Sequence, residues 1–268
     1  MPNRAKKFHF RSARNSTSAC ALVPVALVGE VHVADQTHHI AEDEFLSAFY
    51  RCAYGHLAAT IGTEHESCQI VEIGSGLGLA QLSGHSWWHS DVLPSDALNL
   101  RNSAEHLPFR DRSIDALILK DTWHHIPDIE AFLGEAHRVL RVGGTIAVFD
   151  PYWGILARFV YRFLHQERWD TRAREWSFRS TDPWDSNQAL TYMMLRRDRQ
   201  DFNRRWGNRF TLTEYGRHVG PSFLLSGGVS RRTPVSGKWL KRLLIWEERQ
   251  GSWFDLFRFF HVFGLVKQ

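Results

Sequence analysis

The feature that most constrains this chain is Val71-Glu-Ile-Gly-Ser-Gly-Leu-Gly78, an apolar strand that runs directly into a glycine-rich turn. Glycine lets a backbone turn sharply and lets a ligand approach the main chain closely. In α/β proteins such turns stand at the carboxyl edge of the sheet, where ligands bind. The neighbouring segments suit that setting. Gln69 to Ile73 reads as a short buried strand, followed by the turn and a short helix; a second strand ends near Asp91 and a weaker third lies near Leu98 to Arg101. Ile114 to Lys120 is an apolar strand, Ile129 to Leu140 a helix with Phe132, Leu133, Ala136 and Leu140 on one face, and Gly144 to Asp150 a further strand after a Gly-Gly turn. Strand and helix alternate with short connections, the pattern of a parallel sheet covered on both faces. The fold class is therefore α/β, a doubly wound and mostly parallel sheet.

Around this core, Ile40 to Ile61 carries Phe45, Phe49, Ala53 and Leu57 near helical spacing, with Glu42, Asp43 and Glu44 in the opening turn. Beyond Pro151, Gly154 to Phe163, Ser186 to Arg205 and Leu240 to Arg249 read as helices, and Ser222 to Ser230 and Phe260 to Lys267 as closing strands. The expected organisation is an N-terminal extension over 1–39, a core with an N-terminal lid helix over 40–151, and specificity helices with closing strands over 152–268.

The two halves differ in kind. Through Asp150 there are 12 Lys/Arg against 18 Asp/Glu, and from Pro151 onward 21 against 11, with eight of the 11 Trp in the second half. A shared catalytic core followed by a specialised, aromatic-rich helical region accounts for that split. Cys20, Cys52 and Cys68 are odd in number and lack C-x-x-C spacing, which fits a reducing, cytoplasmic setting and supplies no cysteine metal site. No run of about 18 apolar residues is present to span a membrane.

The ligand is narrowed by what the turn lacks. A dinucleotide fingerprint G-x-G-x-x-G requires glycine at position 79, where this chain has Leu79. The pattern is instead acid-x-Gly-x-Gly-x-Gly, with Glu72 two residues before Gly74, which suits a ligand with an ammonium group and no phosphates.

At this point the sequence resembles the class I S-adenosylmethionine methyltransferases, in particular the small-molecule subgroup typified by quinone and sterol methyltransferases. The resemblance covers Gln69 to Pro151 and implies a seven-stranded Rossmann-like sheet. It also implies roles. Gly74, Ser75 and Gly76 would receive the methionine part of the cofactor, with Glu72 oriented toward its amino-acid end. Asp91, 17 residues after Gly74, would grip the ribose hydroxyls. The segment Ser103-Ala-Glu-His-Leu-Pro-Phe-Arg-Asp-Arg-Ser-Ile-Asp115 matches the family's D-A-x-x-L-P-F-x-D-x-S-F-D, with Ser103 replacing the acid that meets adenine, and with Ala104 and Glu105 as pocket residues. Lys120-Asp-Thr-Trp-His-His-Ile-Pro127 resembles the family's L-H-H-I-x-D stretch at the cleft mouth. It puts Asp121 near the methionine moiety and makes His124 the candidate general base, since an unperturbed imidazole titrates near pH 6.5. Glu135-Ala-His-Arg-Val-Leu-Arg-Val-Gly-Gly144 resembles its helix-to-strand connection E-x-x-R-V-L-K-P-G-G.

Methyl transfer is an in-line displacement whose electrophile arrives with the cofactor, so these motifs identify the donor and leave the acceptor open. Three readings follow. The first is methylation, at oxygen or carbon, of a small-molecule acceptor: a sugar-linked, polyketide or quinone-like metabolite. The second is RNA methylation, suggested by Arg196, Arg197, Arg199, Arg204, Arg205, Arg231, Arg232, Lys241 and Arg242 but disfavoured by the acids interspersed among them. The third is a non-catalytic binding protein on the same fold. Gly154 to Trp169 and Trp253 to Phe263 mix aromatic and basic residues as interfacial helices do, which leaves peripheral membrane contact open beside plain core packing.

Overall fold

A computed structural model describes residues 25–27, 40, 43–62, 67–76, 78–82, 85–228 and 233–268. Its main sheet has seven strands: β2 (Gln69–Ile73), β4 (Ser86–Asp91), β5 (Leu100–Arg101), β6 (Ile114–Lys120), β7 (Leu140–Pro151), β8 (Phe210–His218) and β9 (Phe260–Lys267). Their order is β5-β4-β2-β6-β7-β9-β8, and β9 alone runs antiparallel to its neighbours. The doubly wound, mostly parallel expectation holds.

Successive residues of the central strands serve opposite faces, as the two-residue repeat of a pleated strand requires. Leu117 and Leu119 of β6, with Ile146 and Val148 of β7, enter one apolar core with Phe132, Leu133 and Ala136 of helix α2 (Ile129–Val139). Ile118, Ala147 and Phe149 enter the other core with Phe45, Phe49 and Leu57 of helix α1 (Glu44–Ile61). Both helices start on an aspartate cap: Asp43 accepts from the backbone of Phe45 and Leu46, and Asp128 from that of Glu130 and Ala131. Among the described residues no helix is long and apolar enough to cross a membrane.

Two local expectations are overturned. Among the described residues after the glycine turn there is no helix; strand β3 (Ala80–Leu82) pairs antiparallel with β1 (Val25–Leu27) in a separate two-stranded sheet. Ser222 to Ser230 is not a strand. Pro221–Ser226 is a helix, with Pro221 in its first turn and Gly227 in the left-handed conformation that ends it, and the closing strand lies earlier, at β8. Between β7 and β8 run α3 (Ile155–Phe163), α4 (Leu190–Tyr192), the π-turn Met193–Arg197 and α5 (Arg199–Trp206); the helix Pro221–Ser226, here α6, and α7 (Gly237–Glu248) lie between β8 and β9. Beyond Val25–Leu27, the extension expected over 1–39 lies outside the described residues.

Candidate active site

Strand β2 is flanked by β4 on one side and β6 on the other, so the chain leaves it in opposite directions and a crevice opens at their carboxyl ends. That crevice continues into a cleft of about 1210 Å³. The glycine turn and the loop after β6 form its floor, Tyr50 and Tyr54 of α1 one wall, and the segment from Val160 to Arg168 another.

The turn is built on glycine for two separate reasons. Gly74 has φ +67°, and a Cβ there would come within 2.3 Å of the Thr122 side chain, whose hydroxyl donates to the Gly74 carbonyl at 3.3 Å. Gly76 has φ +55°, and a Cβ there would project into open space: its missing side chain leaves the main chain bare toward solvent and ligand. The Gly76 N–H donates to Asp91 Oδ2 at 2.8 Å, while Asp91 Oδ1 accepts from the Leu93 N–H. The acid that closes β4 is thus braced directly against the turn.

Glu72, 1% exposed, lies behind the turn and accepts from the Tyr54 hydroxyl and the Trp87 indole N–H and pairs with His89 Nδ1 at 3.0 Å. Burial and the facing carboxylate push the Tyr54 hydroxyl well above its ordinary pKa. Asp121, with φ +52°, pairs with Lys120 Nζ at 2.6 Å, and the ammonium also stands 4.2 Å from the centre of the Tyr50 ring. Gly74, Ser75, Gly76, Asp121 and His124 meet on the cleft lining, and Asp91 joins them through Gly76. Ser103, Ala104 and Glu105 stand outside that lining: Glu105 accepts from Ser103 and from the Asp128 N–H at the start of α2, and Ala104 is packed in the core.

The lining of the same cleft includes a charged cluster. His124 sits on a 3-10 turn, Trp123–His125, with Nδ1 2.9 Å from Asp150 Oδ1 and Nε2 3.2 Å from Glu167 Oε2. Asp150, fully buried near the end of β7, also accepts from the Thr191 hydroxyl at 2.6 Å. Glu167 accepts from Gln188 Nε2 at 2.8 Å and Ser186 Oγ at 3.1 Å. Burial opposes charge on His124, but the two carboxylates outweigh it and push its pKa up to about 10. Both ring nitrogens thus face a carboxylate, an arrangement that favours the charged ring. Glu167 is moved the other way: burial raises it, and the hydrogen bond and charge of His124 carry it below the usual carboxylate range. Burial, followed by the charge on His124, lowers the pKa of His125.

The motifs did not point to Asp150 or Glu167. Asp150 was within reach, because it closes a parallel strand beside β6 at the edge where ligands bind. Glu167 lies in an irregular segment after α3, where no periodicity marks a position.

Residues 87–148 match the family of the methyltransferase domain. The demethylmenaquinone methyltransferase of Tropheryma whipplei (strain Twist) is 25% identical over 170 residues, 54% of this chain and 69% of that protein. The polyketide synthase component of the lovastatin nonaketide synthase of Aspergillus terreus is 26% identical over 161 residues, 48% of this chain and 5% of that protein. Among solved structures, the YcgJ protein from Bacillus subtilis is 18% identical with a TM-score of 0.46, over 80% of this chain and 99% of that one. Geranyl diphosphate C-methyltransferase from Streptomyces coelicolor A3(2) is 13% identical with a TM-score of 0.42, over 91% and 92%. Sheet order, glycine turn and matched domain define a methyltransferase that uses S-adenosylmethionine, as the motif resemblance implied.

Proposed function

We propose that the cleft methylates a small, largely apolar acceptor, quinone-like or polyketide-like, at oxygen or carbon, with His124 as the catalytic residue. The observation that carries this reading is the juxtaposition of the bare glycine turn and the Asp150–His124–Glu167 cluster across one cleft. The residues present fit the donor. Gly76 leaves the main chain open, Ser75 precedes it, and the Asp91 carboxylate stands beside the turn to meet sugar hydroxyls. When bound there, the sulfonium supplies an activated methyl group and its own leaving group. The chain's own contribution is alignment and exclusion of water, with Tyr50, Tyr54, Tyr161 and Phe260 around the reacting centre. His124 touches the acceptor's oxygen, and Asp150 fixes the ring that does so.

The fate of the arginines favours a small acceptor over RNA. Arg197 pairs with Asp198, Arg199 with Glu214, Arg204 with Asp201 and Arg205 with Glu130, so four of these charges have acidic partners on the chain itself. The test is incubation of the purified protein with labelled S-adenosylmethionine and a fractionated extract. Label is expected in apolar small molecules; label in RNA alone would defeat the proposal.

The acceptor's route is suggested by an exposed apolar face. Ile155, Phe159 and Phe163 form one stripe of α3, Leu164 continues it to the cleft, and Trp253, Leu256 and Phe257 are exposed as well. Arg158 and Arg162 are exposed on the same helix. Apolar area of this kind with basic neighbours suits peripheral contact with an anionic lipid surface. Cosedimentation with phosphatidylglycerol vesicles is expected and should fall on Phe159→Ser with Phe163→Ser; equal recovery of both proteins would remove the lipid contact.

A further inference from the structure

Three side chains of the cleft bring possible metal-ligating atoms to one point. His125 Nδ1 is 3.2 Å from the Asp185 carbonyl oxygen, which can only accept, so Nδ1 carries the hydrogen. In the neutral ring Nε2 is then a lone pair, and it faces Glu167 Oε2 at 3.8 Å, beyond hydrogen-bond range. His124 repeats the arrangement, with Nδ1 against buried Asp150 and Nε2 3.2 Å from the same Glu167 oxygen. One ligand atom from each of the three residues lies within 4.8 Å of the others.

We propose that His124, His125 and Glu167 form a site for a divalent transition-metal ion of the zinc or ferrous kind, with one position left open toward the acceptor. The proposal rests on the reading of this cleft as the acceptor site. Donors at about 2.0–2.1 Å from a tetrahedral ion stand about 3.4 Å apart, between the 3.2 Å and 3.8 Å separations found here. Two imidazoles and one carboxylate suit zinc or iron; magnesium prefers an all-oxygen shell. Outer contacts that orient the two rings are already in place: the Asp150 carboxylate behind His124 and the Asp185 carbonyl behind His125. At the open position the ion would offset charge developing on the acceptor's oxygen.

The test uses the full chain, stripped with a chelator and titrated with Co²⁺, with visible d–d absorption as the readout and Zn²⁺ calorimetry beside it. One ion per chain is expected, with cobalt bands of a low-coordinate site. His125→Ala and Glu167→Gln should each weaken uptake by about tenfold or more, and Asp150→Asn, a positioning change, by about 10–100-fold. Arg199→Ala, on the surface, should leave it unchanged. S-adenosylhomocysteine calorimetry on the same samples reports separately on fold and donor site. Wild-type protein that takes up S-adenosylhomocysteine but no cobalt, or that binds cobalt equally in all variants, overturns the metal site while leaving the methyltransferase reading intact. Cobalt uptake lost in the two ligand variants, with S-adenosylhomocysteine uptake retained, supports it.

Discussion

Two of the buried histidine–carboxylate clusters in this molecule differ in whether an edge is open to the cleft. In the first, Glu248 pairs with His218 at 2.8 Å and His56 at 3.3 Å, accepts from the Val219 N–H and faces Arg258, while Glu247 beside it accepts from Gly220 and Ser222. The Glu248 and Arg258 side chains are 8% and 4% exposed. This cluster ties β8, α1 and α7 together and is closed. In the second, Asp150 is just as buried, but His124 looks through Glu167, whose side chain is 30% exposed, into the cleft. Burial on every side makes a strut; burial on one side with an open edge leaves chemistry available to a ligand.

The contrast breaks most sharply at Asp150 and His124. His124→Ala or Asp150→Asn is expected to lower turnover about 10²–10⁴-fold, the usual range for a positioned proton-handling group, with S-adenosylhomocysteine affinity retained. A loss of stability with turnover per folded molecule unchanged would make this second cluster a strut as well. Glu248→Gln should do the reverse. Removing one partner strands Arg258 in the interior, at a cost of about 3–5 kcal/mol in chemical denaturation, while the remaining folded molecules keep their turnover. Intact stability would show that water already reaches that cluster.

Acid sharpens the difference further. Burial and the neighbouring His56 hold His218 down to about 4, although Glu248 pulls the other way and Arg258 adds to the depression; burial, Arg217 and His218 hold His261 down to about 3. An unfolded chain takes up these protons near pH 6.5 and the folded one refuses them. Stability should therefore fall as pH drops from about 6.5 toward 4, followed by thermal melts across that range. A flat profile would mean that the two rings are hydrated. The smallest expected effect is at the turn: Gly76→Ala, at φ +55°, should cost about 1–3 kcal/mol of backbone strain and weaken donor binding. An alanine variant with wild-type affinity would show that the main chain there need not be bare.

What the sequence disclosed follows from range. Gln69–Ile73 and Ile114–Lys120 were legible because a strand buried on both faces is apolar throughout, and Asp91 because it closes such a strand. The segment after Gly78 misled because a helix was assumed where only a few residues separate two glycines, too few for the costly first turn, and a distant strand at Val25–Leu27 offered pairing instead. Pro221 and Gly227 did bracket a helix, but the apolar run between them reads equally as strand. Glu167 became a site residue only through tertiary contact, with His124 43 positions away and on a different element.

The most direct measurement is titration of well-folded protein with S-adenosylhomocysteine by calorimetry, on the wild type and on Asp91→Ala. Saturable binding of one molecule per chain is expected, weakened at least about tenfold in the variant, the scale of a lost charged hydrogen bond. Absence of heat in the wild type, or equal affinity in both proteins, would contradict a donor held between the glycine turn and Asp91.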